Sequence, residues 1–311
     1  MMRKINLVIV TSFIVLALTA CNSAPIATPG PVTTGAAPSA TTGAVTPVAT
    51  SSAFAAERAA LQAGDTAAAI AGLQKAVGNT PGSAEAHLLL AQAYFRAQRK
   101  DEATQEFMAG LSLDAKAALP LETKDVDELL QVGNAHASLG QFEEALAVYQ
   151  AVLQLKPDKA AAHTNIGVVY YQSGRLDEAV TELKKALEID PKDAETEYML
   201  GAAFVQQQKL DDAETAFNQA IALKPDLAAA YTGLGNVYLA RKNTDKAVST
   251  LQKATTLQPN QAEAWLALGQ AFALQGNKVE AAKALNQCLQ TSQPGPLRDQ
   301  CTKVLQQVST P

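Results

Sequence analysis

The sequence predicts an all-α fold, an α-solenoid of seven helical hairpins followed by one capping helix. Three observations predict it. A 34-residue skeleton recurs in register, small and large apolar residues hold fixed places within it, and aromatic residues make up only 5% of a chain that is 48% hydrophobic. Ala and Leu carry much of that apolar content, which suits closely apposed helices better than a β-sandwich. Self-similarity at such a period marks a repeat array, so the 311-residue length does not convert into a count of ordinary domains.

The unit is clearest over residues 160–193, AAAHTNIGVVYYQSGRLDEAVTELKKALEIDPKD. Counting Ala160 as position 1, units begin at Thr50, Ala84, Val126, Ala160, Ala194, Ala228 and Ala262. Position 20 is alanine in all seven: Ala69, Ala103, Ala145, Ala179, Ala213, Ala247 and Ala281. Position 8 is glycine in five: Gly133, Gly167, Gly201, Gly235 and Gly269. Position 24 is always large: Leu73, Phe107, Tyr149, Leu183, Phe217, Leu251 and Leu285. Position 32 is proline in five: Pro81, Pro157, Pro191, Pro225 and Pro259.

Apolar residues at positions 4, 7, 11 and 24 fall at helical spacing. Small residues at positions 8 and 20 let the two helices of a unit approach closely. Near position 15 the chain must turn, and Gly64, Gly140, Gly174 and Gly276 supply a left-handed conformation there. Proline at position 32 disfavours helix in the residue before it and ends the second helix. Such a hairpin cannot bury its apolar face alone. The first unit, with Ala53, Ala56, Glu57 and Ala60 at positions 4, 7, 8 and 11, reads as a weak terminal repeat. The second unit replaces its proline with Ala115 and is followed by eight extra residues, 118–125, in which Pro120 stops a helix. A bend or loosened contact dividing two units from five, and a plain surface insertion, are both open there.

This pattern resembles the tetratricopeptide repeat family over residues 50–295. The resemblance implies a right-handed superhelix in which the first helix of each unit lines the concave surface. Residues 297–308, LRDQCTKVLQQV, resemble the extra helix that covers a final unit's apolar face. The solenoid is therefore read as residues 53–309.

The N-terminus reads as an address. Arg3 and Lys4 precede the uncharged stretch Ile5–Ala20, so residues 1–20 have the n-region and h-region of an export signal. Leu18-Thr19-Ala20-Cys21 resembles the bacterial lipobox, which implies lipid attachment to the Cys21 thiol and cleavage just before it. An uncleaved anchor and an ordinary signal peptide are the alternatives. Asn22 stands where the family's inner-membrane retention signal places Asp. The resemblance thus implies the outer membrane in a two-membrane host, and otherwise the outer face of the cell membrane. Residues 22–52, uncharged and carrying five prolines, are expected to form a tether behind Cys21. Such a tether spans about 30 Å as a coil and on the order of 100 Å fully extended. Both a bare spacer and an O-glycosylated one fit the Thr/Pro content.

The net charge is −5, and removing Arg3 and Lys4 leaves 23 basic residues against 30 acidic, or −7. No basic block survives to serve nucleic-acid binding. There is no glycine-rich phosphate loop and no Ser/His/Asp arrangement. His87 and His163 at position 4, and His136 at position 11, sit at packing positions. No catalytic residue, metal ligand, cofactor or small-molecule substrate is expected, and the chain is not expected to be an enzyme. Glu178, Glu182, Lys184 and Lys185 read as a solvated helix face. Cys288 and Cys301 are compatible either with a disulfide between cap and last unit or with two buried free thiols.

What the family resemblance leaves for recognition is the concave face, formed by positions 2, 5, 6, 9, 12 and 13. Those positions supply Gln92, Phe95, Asn134, Asn165, Tyr171, Tyr198, Asn236, Leu239 and Gln270, about half of which are expected to be exposed. No Lys or Arg stands at positions 2, 5 or 6, which disfavours the carboxylate clamp of the chaperone-binding subgroup. The resulting expectation is a lipid-anchored protein–protein interaction scaffold of the bacterial cell envelope. It would hold a partner peptide or protein through amides and apolar pockets. A regulator of a cell-wall enzyme and a self-assembling structural protein are the alternatives.

Overall fold

A computed structural model describes residues 54–117 and 123–309. The expected export signal, Cys21, the expected tether, the Thr50 start of the first unit, and Pro120 lie outside the described residues. Those residues form fifteen α-helices: α1 Ala55–Ala63, α2 Thr66–Asn79, α3 Ala84–Arg96, α4 Lys100–Leu113, α5 Val126–Ser138, α6 Phe142–Leu155, α7 Ala160–Gln172, α8 Leu176–Ile189, α9 Ala194–Gln206, α10 Leu210–Leu223, α11 Ala228–Ala240, α12 Thr244–Leu257, α13 Ala262–Leu274, α14 Lys278–Thr291 and α15 Pro296–Ser309. Helices α3, α5, α7, α9, α11 and α13 begin at the residues where six of the sequence units begin. None of the fifteen is long and apolar enough to cross a membrane.

Local chemistry explains these boundaries. Ser83, Asp125 and Asp193 precede first helices and accept hydrogen bonds from backbone N–H groups of the first turn. That satisfies donors that have no partner inside the helix. Each hairpin turn places position 15 in the left-handed region. Gly64, Gly140, Gly174 and Gly276 do so at φ 73–84°, and Gln98, Gln208 and Lys242 do so at φ 59–61° without being glycine.

The described residues fall into two compact units, 54–165 and 166–309, with the division inside α7. In the first unit a single apolar cluster joins Leu61, Leu73, Leu88, Phe107 and Leu111 to Val132 and Ala135. This core runs from α4 into α5, on either side of the eight extra residues. The Gln141 side chain also donates to the Leu111 carbonyl at 3.1 Å. These two helices touch through faces that lie outside the inserted segment.

The second unit is built around Leu183, Phe217, Leu234, Val237 and Leu251. The glycine at position 8 has a steric cause throughout. A Cβ on Gly133 would sit 2.4 Å from the Tyr149 ring, and one on Gly235 would sit 2.4 Å from Leu251 Cγ. Position 24 of the second helix fills the notch that the missing side chain leaves. At the C-terminal end, α15 covers Ala262, Leu266 and Leu285. Cys288 and Cys301 are joined in a disulfide between α14 and α15.

Candidate functional site

In residues 54–165 the first helices place four of the expected recognition residues. Gln92 is fully buried, and its amide donates to Glu128 Oε1 at 2.8 Å. Glu128 is itself buried on α5, so the Gln92 amide satisfies a carboxylate that has lost water. Phe95 belongs to the apolar cluster. Asn134 and Asn165 are half-buried and form a pair. Asn134 Oδ1 accepts from the Tyr149 hydroxyl at 2.6 Å and from Asn165 Nδ2 at 2.9 Å. Burial of the Tyr149 ring pushes its phenol above the usual range. The pair leaves the Asn134 amide nitrogen as donor and the Asn165 carbonyl as acceptor. A peptide group requires one of each. One turn earlier on α5, Gln131 Oε1 is shielded from solvent without a hydrogen-bond partner.

In residues 166–309 the remaining five behave differently from one another. Tyr171 is buried, its hydroxyl receives a 3.4 Å bond from the Gln206 amide, and burial pushes its phenol up to about 12. The Tyr198 ring packs against Phe217 with 5.9 Å between centroids. Leu239 is part of the same core. Asn236 and Gln270 are half-buried at position 9 of their helices.

The expectation that about half of the nine residues are exposed is therefore corrected. None is freely exposed, and Gln92, Phe95, Tyr171, Tyr198 and Leu239 are buried. The cause is the neighbour. Positions 5 and 12 turn towards adjacent helices, so Leu88, Tyr198, Thr232 and Leu266 at position 5 are all buried too. The four half-buried amides, Asn134, Asn165, Asn236 and Gln270, are what remains of the surface predicted from the sequence.

Two features were not anticipated. The position-4 side chain reaches back to a proline carbonyl of the preceding unit three times. His87 Nε2 bonds Pro81 O at 3.0 Å, the Tyr231 hydroxyl donates to Pro225 O at 3.1 Å, and Trp265 Nε1 donates to Pro259 O at 2.8 Å. The other His87 nitrogen lies 2.6 Å from Glu106 Oε2, so this ring is a structural link between units. The shared signal was a polar-tipped ring at position 4 with proline six residues earlier. The second feature is an open crevice of about 640 Å³, floored by Trp265, Leu268 and Phe272 and edged by Gln252, Thr256, Glu280 and Lys283. Among the described residues, no three of His, Cys, Asp and Glu are grouped so as to hold a metal ion.

The comparisons agree with this geometry. The family model of the cilia and flagella-associated protein 70 C-terminal domain, a tetratricopeptide repeat model, matches residues 39–293. The chain belongs to this tetratricopeptide repeat family. No curated protein sequence matches it significantly. Among solved structures, MamA protein is 29% identical, with 53% of this chain and 91% of that one covered at a TM-score of 0.47. A tetratricopeptide repeat protein from Parabacteroides merdae is 19% identical, with 83% and 97% covered at a TM-score of 0.54. Pseudomonas aeruginosa pilF is 22% identical, with 59% and 86% covered at a TM-score of 0.53. The last two share the helical-repeat fold. A fold of this family is a protein–protein interaction scaffold, and its members hold peptide or protein partners.

Proposed function

We propose that this tetratricopeptide scaffold is exported and lipid-anchored at Cys21, and that it holds an extended segment of a partner protein along its first helices. One observation carries the recognition half of this reading. The Asn134–Asn165 pair is fixed from beneath by the Tyr149 hydroxyl and offers one amide donor and one carbonyl acceptor. An extended peptide presents the complementary pair on each backbone unit, and side-chain pockets then select its sequence. Asn236 and Gln270 repeat the amide chemistry in residues 166–309. The buried position-5 residues include no cation that could hold a terminal carboxylate, so an internal segment suits this surface better than a chain end.

The anchoring half rests on the sequence, in which a charged start, an apolar stretch and Leu18-Thr19-Ala20-Cys21 follow in the order of a lipoprotein signal. The Cys288–Cys301 disulfide suits an oxidising compartment such as an exported chain meets. The host's membranes would decide between the outer membrane and the outer face of a single membrane.

Two experiments test the two halves separately. Cys21→Ser should release the protein from membranes, and tight association after that change refutes the anchor. A photo-crosslinking side chain at Asn165 should capture a defined partner in cells, whereas one at exposed Glu143 on α6 should not. Equal capture from both positions, or none from Asn165, refutes the recognition surface.

A further inference from the structure

The last described helix, α15, is joined to the last repeat by one covalent bond and by packing against α13 and α14. Cys288 on α14 and Cys301 on α15, 13 residues apart in sequence, form a disulfide whose two cysteines are both 0% exposed. Within α15 only Cys301 and Val304 are buried. Leu297, Leu305 and Val308 pack partly buried against the face formed by Ala262, Leu266 and Leu285. Arg298 adds a polar contact, donating to the Ser292 carbonyl at 3.2 Å and to the Leu289 carbonyl. These carbonyls belong to the C-terminal end of α14, where acceptors lack partners within the helix. A single helix with two buried side chains is marginal by itself. The helices beneath it are not: a Cβ on Gly269 would lie 2.6 Å from Leu285 Cγ, and Ala281 and Leu285 are fully buried between α13 and α14.

We propose that the Cys288–Cys301 disulfide is a redox latch on this cap, so that reducing it releases α15 and uncovers the apolar end of the last repeat while α13 and α14 stay folded. The chemistry is thiol–disulfide exchange with a dithiol reductant. Its thiolate attacks one protein sulfur and displaces the other, which takes up a proton. The second thiol of the reductant then resolves the mixed disulfide. The protein gains two thiols and the reductant leaves as a disulfide. Because both cysteines are buried, attack requires α15 to open transiently, so the latch resists casual reduction. The crosslink restricts the open ensemble to a short closed loop, and its loss removes that restriction. This inference needs neither the lipid anchor nor the partner segment.

Hydrogen exchange followed by mass spectrometry on the full chain tests it, before and after treatment with dithiothreitol. Peptide mapping identifies the free thiols at Cys288 and Cys301 apart from Cys21. Reduction should speed amide exchange across residues 296–309 by about 100-fold, the size of the loop-closure effect for a loop this short, while peptides from α13 and α14 keep their rates. Unchanged protection of α15 after mapped reduction overturns the latch. So does joint loss of protection in α13, α14 and α15, which would make the bond a general staple. Failure of the native protein to be reduced at all also overturns it.

Discussion

Gln208→Gly should stabilise the protein although it removes a side chain. Gln208 closes the hairpin between α9 and α10 at φ 61°, in the left-handed region. Its backbone N–H bonds the Val205 carbonyl at 2.9 Å, and the next N–H, of Lys209, bonds the Phe204 carbonyl at 2.9 Å. The turn between α7 and α8 has the same two bonds, from the Gly174 N–H to the Tyr171 carbonyl and from the Arg175 N–H to the Tyr170 carbonyl. The two turns therefore differ mainly in the residue that adopts the conformation. For a residue with a Cβ, the left-handed region costs about 1–2 kcal/mol. Glycine costs about 0.4–1 kcal/mol in return through the freer unfolded chain. The Gln208 side chain is exposed, so its loss forfeits no core packing. The net expectation is a gain of about 0.5–1 kcal/mol, read as a higher urea midpoint by far-UV circular dichroism. The reverse change, Gly174→Gln, should lower the midpoint by a similar amount. If Gln208→Gly is neutral or destabilising while Gly174→Gln is also neutral, backbone strain does not govern these turns and the reasoning fails.

Three further outcomes follow from the same geometry. Gly235→Ala forces a Cβ to within 2.4 Å of Leu251 Cγ, and should destabilise by about 1–3 kcal/mol, seen as a lower urea midpoint. Asn134→Ala strips the acceptor from the buried Tyr149 hydroxyl and should cost about 1–3 kcal/mol; adding Tyr149→Phe should recover much of that loss in thermal melts, since the buried hydroxyl is then gone and the half-buried Asn165 amide that also bonded Asn134 can turn to water. Burial holds the His136 imidazole below its ordinary value of 6.5, against the weaker upward pull of its Gln141 bond. The unfolded chain therefore takes up this proton more readily than the folded one. The stability this group contributes is present above 6.5 and is lost as pH falls through that value towards the folded one. Urea midpoints measured from about pH 7.5 to about pH 5.5 should fall less steeply in His136→Asn than in the unaltered protein.

The architecture was legible in the sequence because it depends on size at fixed positions. Gly133, Gly167, Gly201, Gly235 and Gly269 recur where a Cβ has no room, and that exclusion is visible as a letter. The turn conformation was only half legible. Glycine marked it in four units, but Gln98, Gln208 and Lys242 adopt it without any sequence mark, held by the backbone bonds of their own hairpins. The face expected to serve recognition was the least legible part. A sequence position assigns a side chain to a helix face, but burial depends on what the next helix presents. Gln92 became a core residue because Glu128, 36 positions away, needed a donor. Likewise, the eight extra residues looked like an interruption, yet one apolar cluster includes both Leu111 before them and Val132 after them.

The distinction between architectural and recognition residues breaks down at one place. Tyr149 stands at position 24, where the other units carry Leu or Phe, and in the units with glycine at position 8 that residue fills the notch left there. Its ring fills the notch over Gly133, and the same ring carries a hydroxyl to Asn134, the next residue along α5. Asn134 in turn receives the Asn165 amide from α7. A residue fixed by core packing thus sets the direction of an amide on the open face, and that amide sets its neighbour. Orientation imposed from the core limits the entropy lost when a partner's backbone is bound, which is how a surface with few polar groups achieves useful affinity. The Asn134–Asn165 pair is for this reason a better candidate for recognition than Asn236 or Gln270. Gly133→Ala, which displaces the Tyr149 ring, should weaken partner capture at Asn165 in addition to lowering stability.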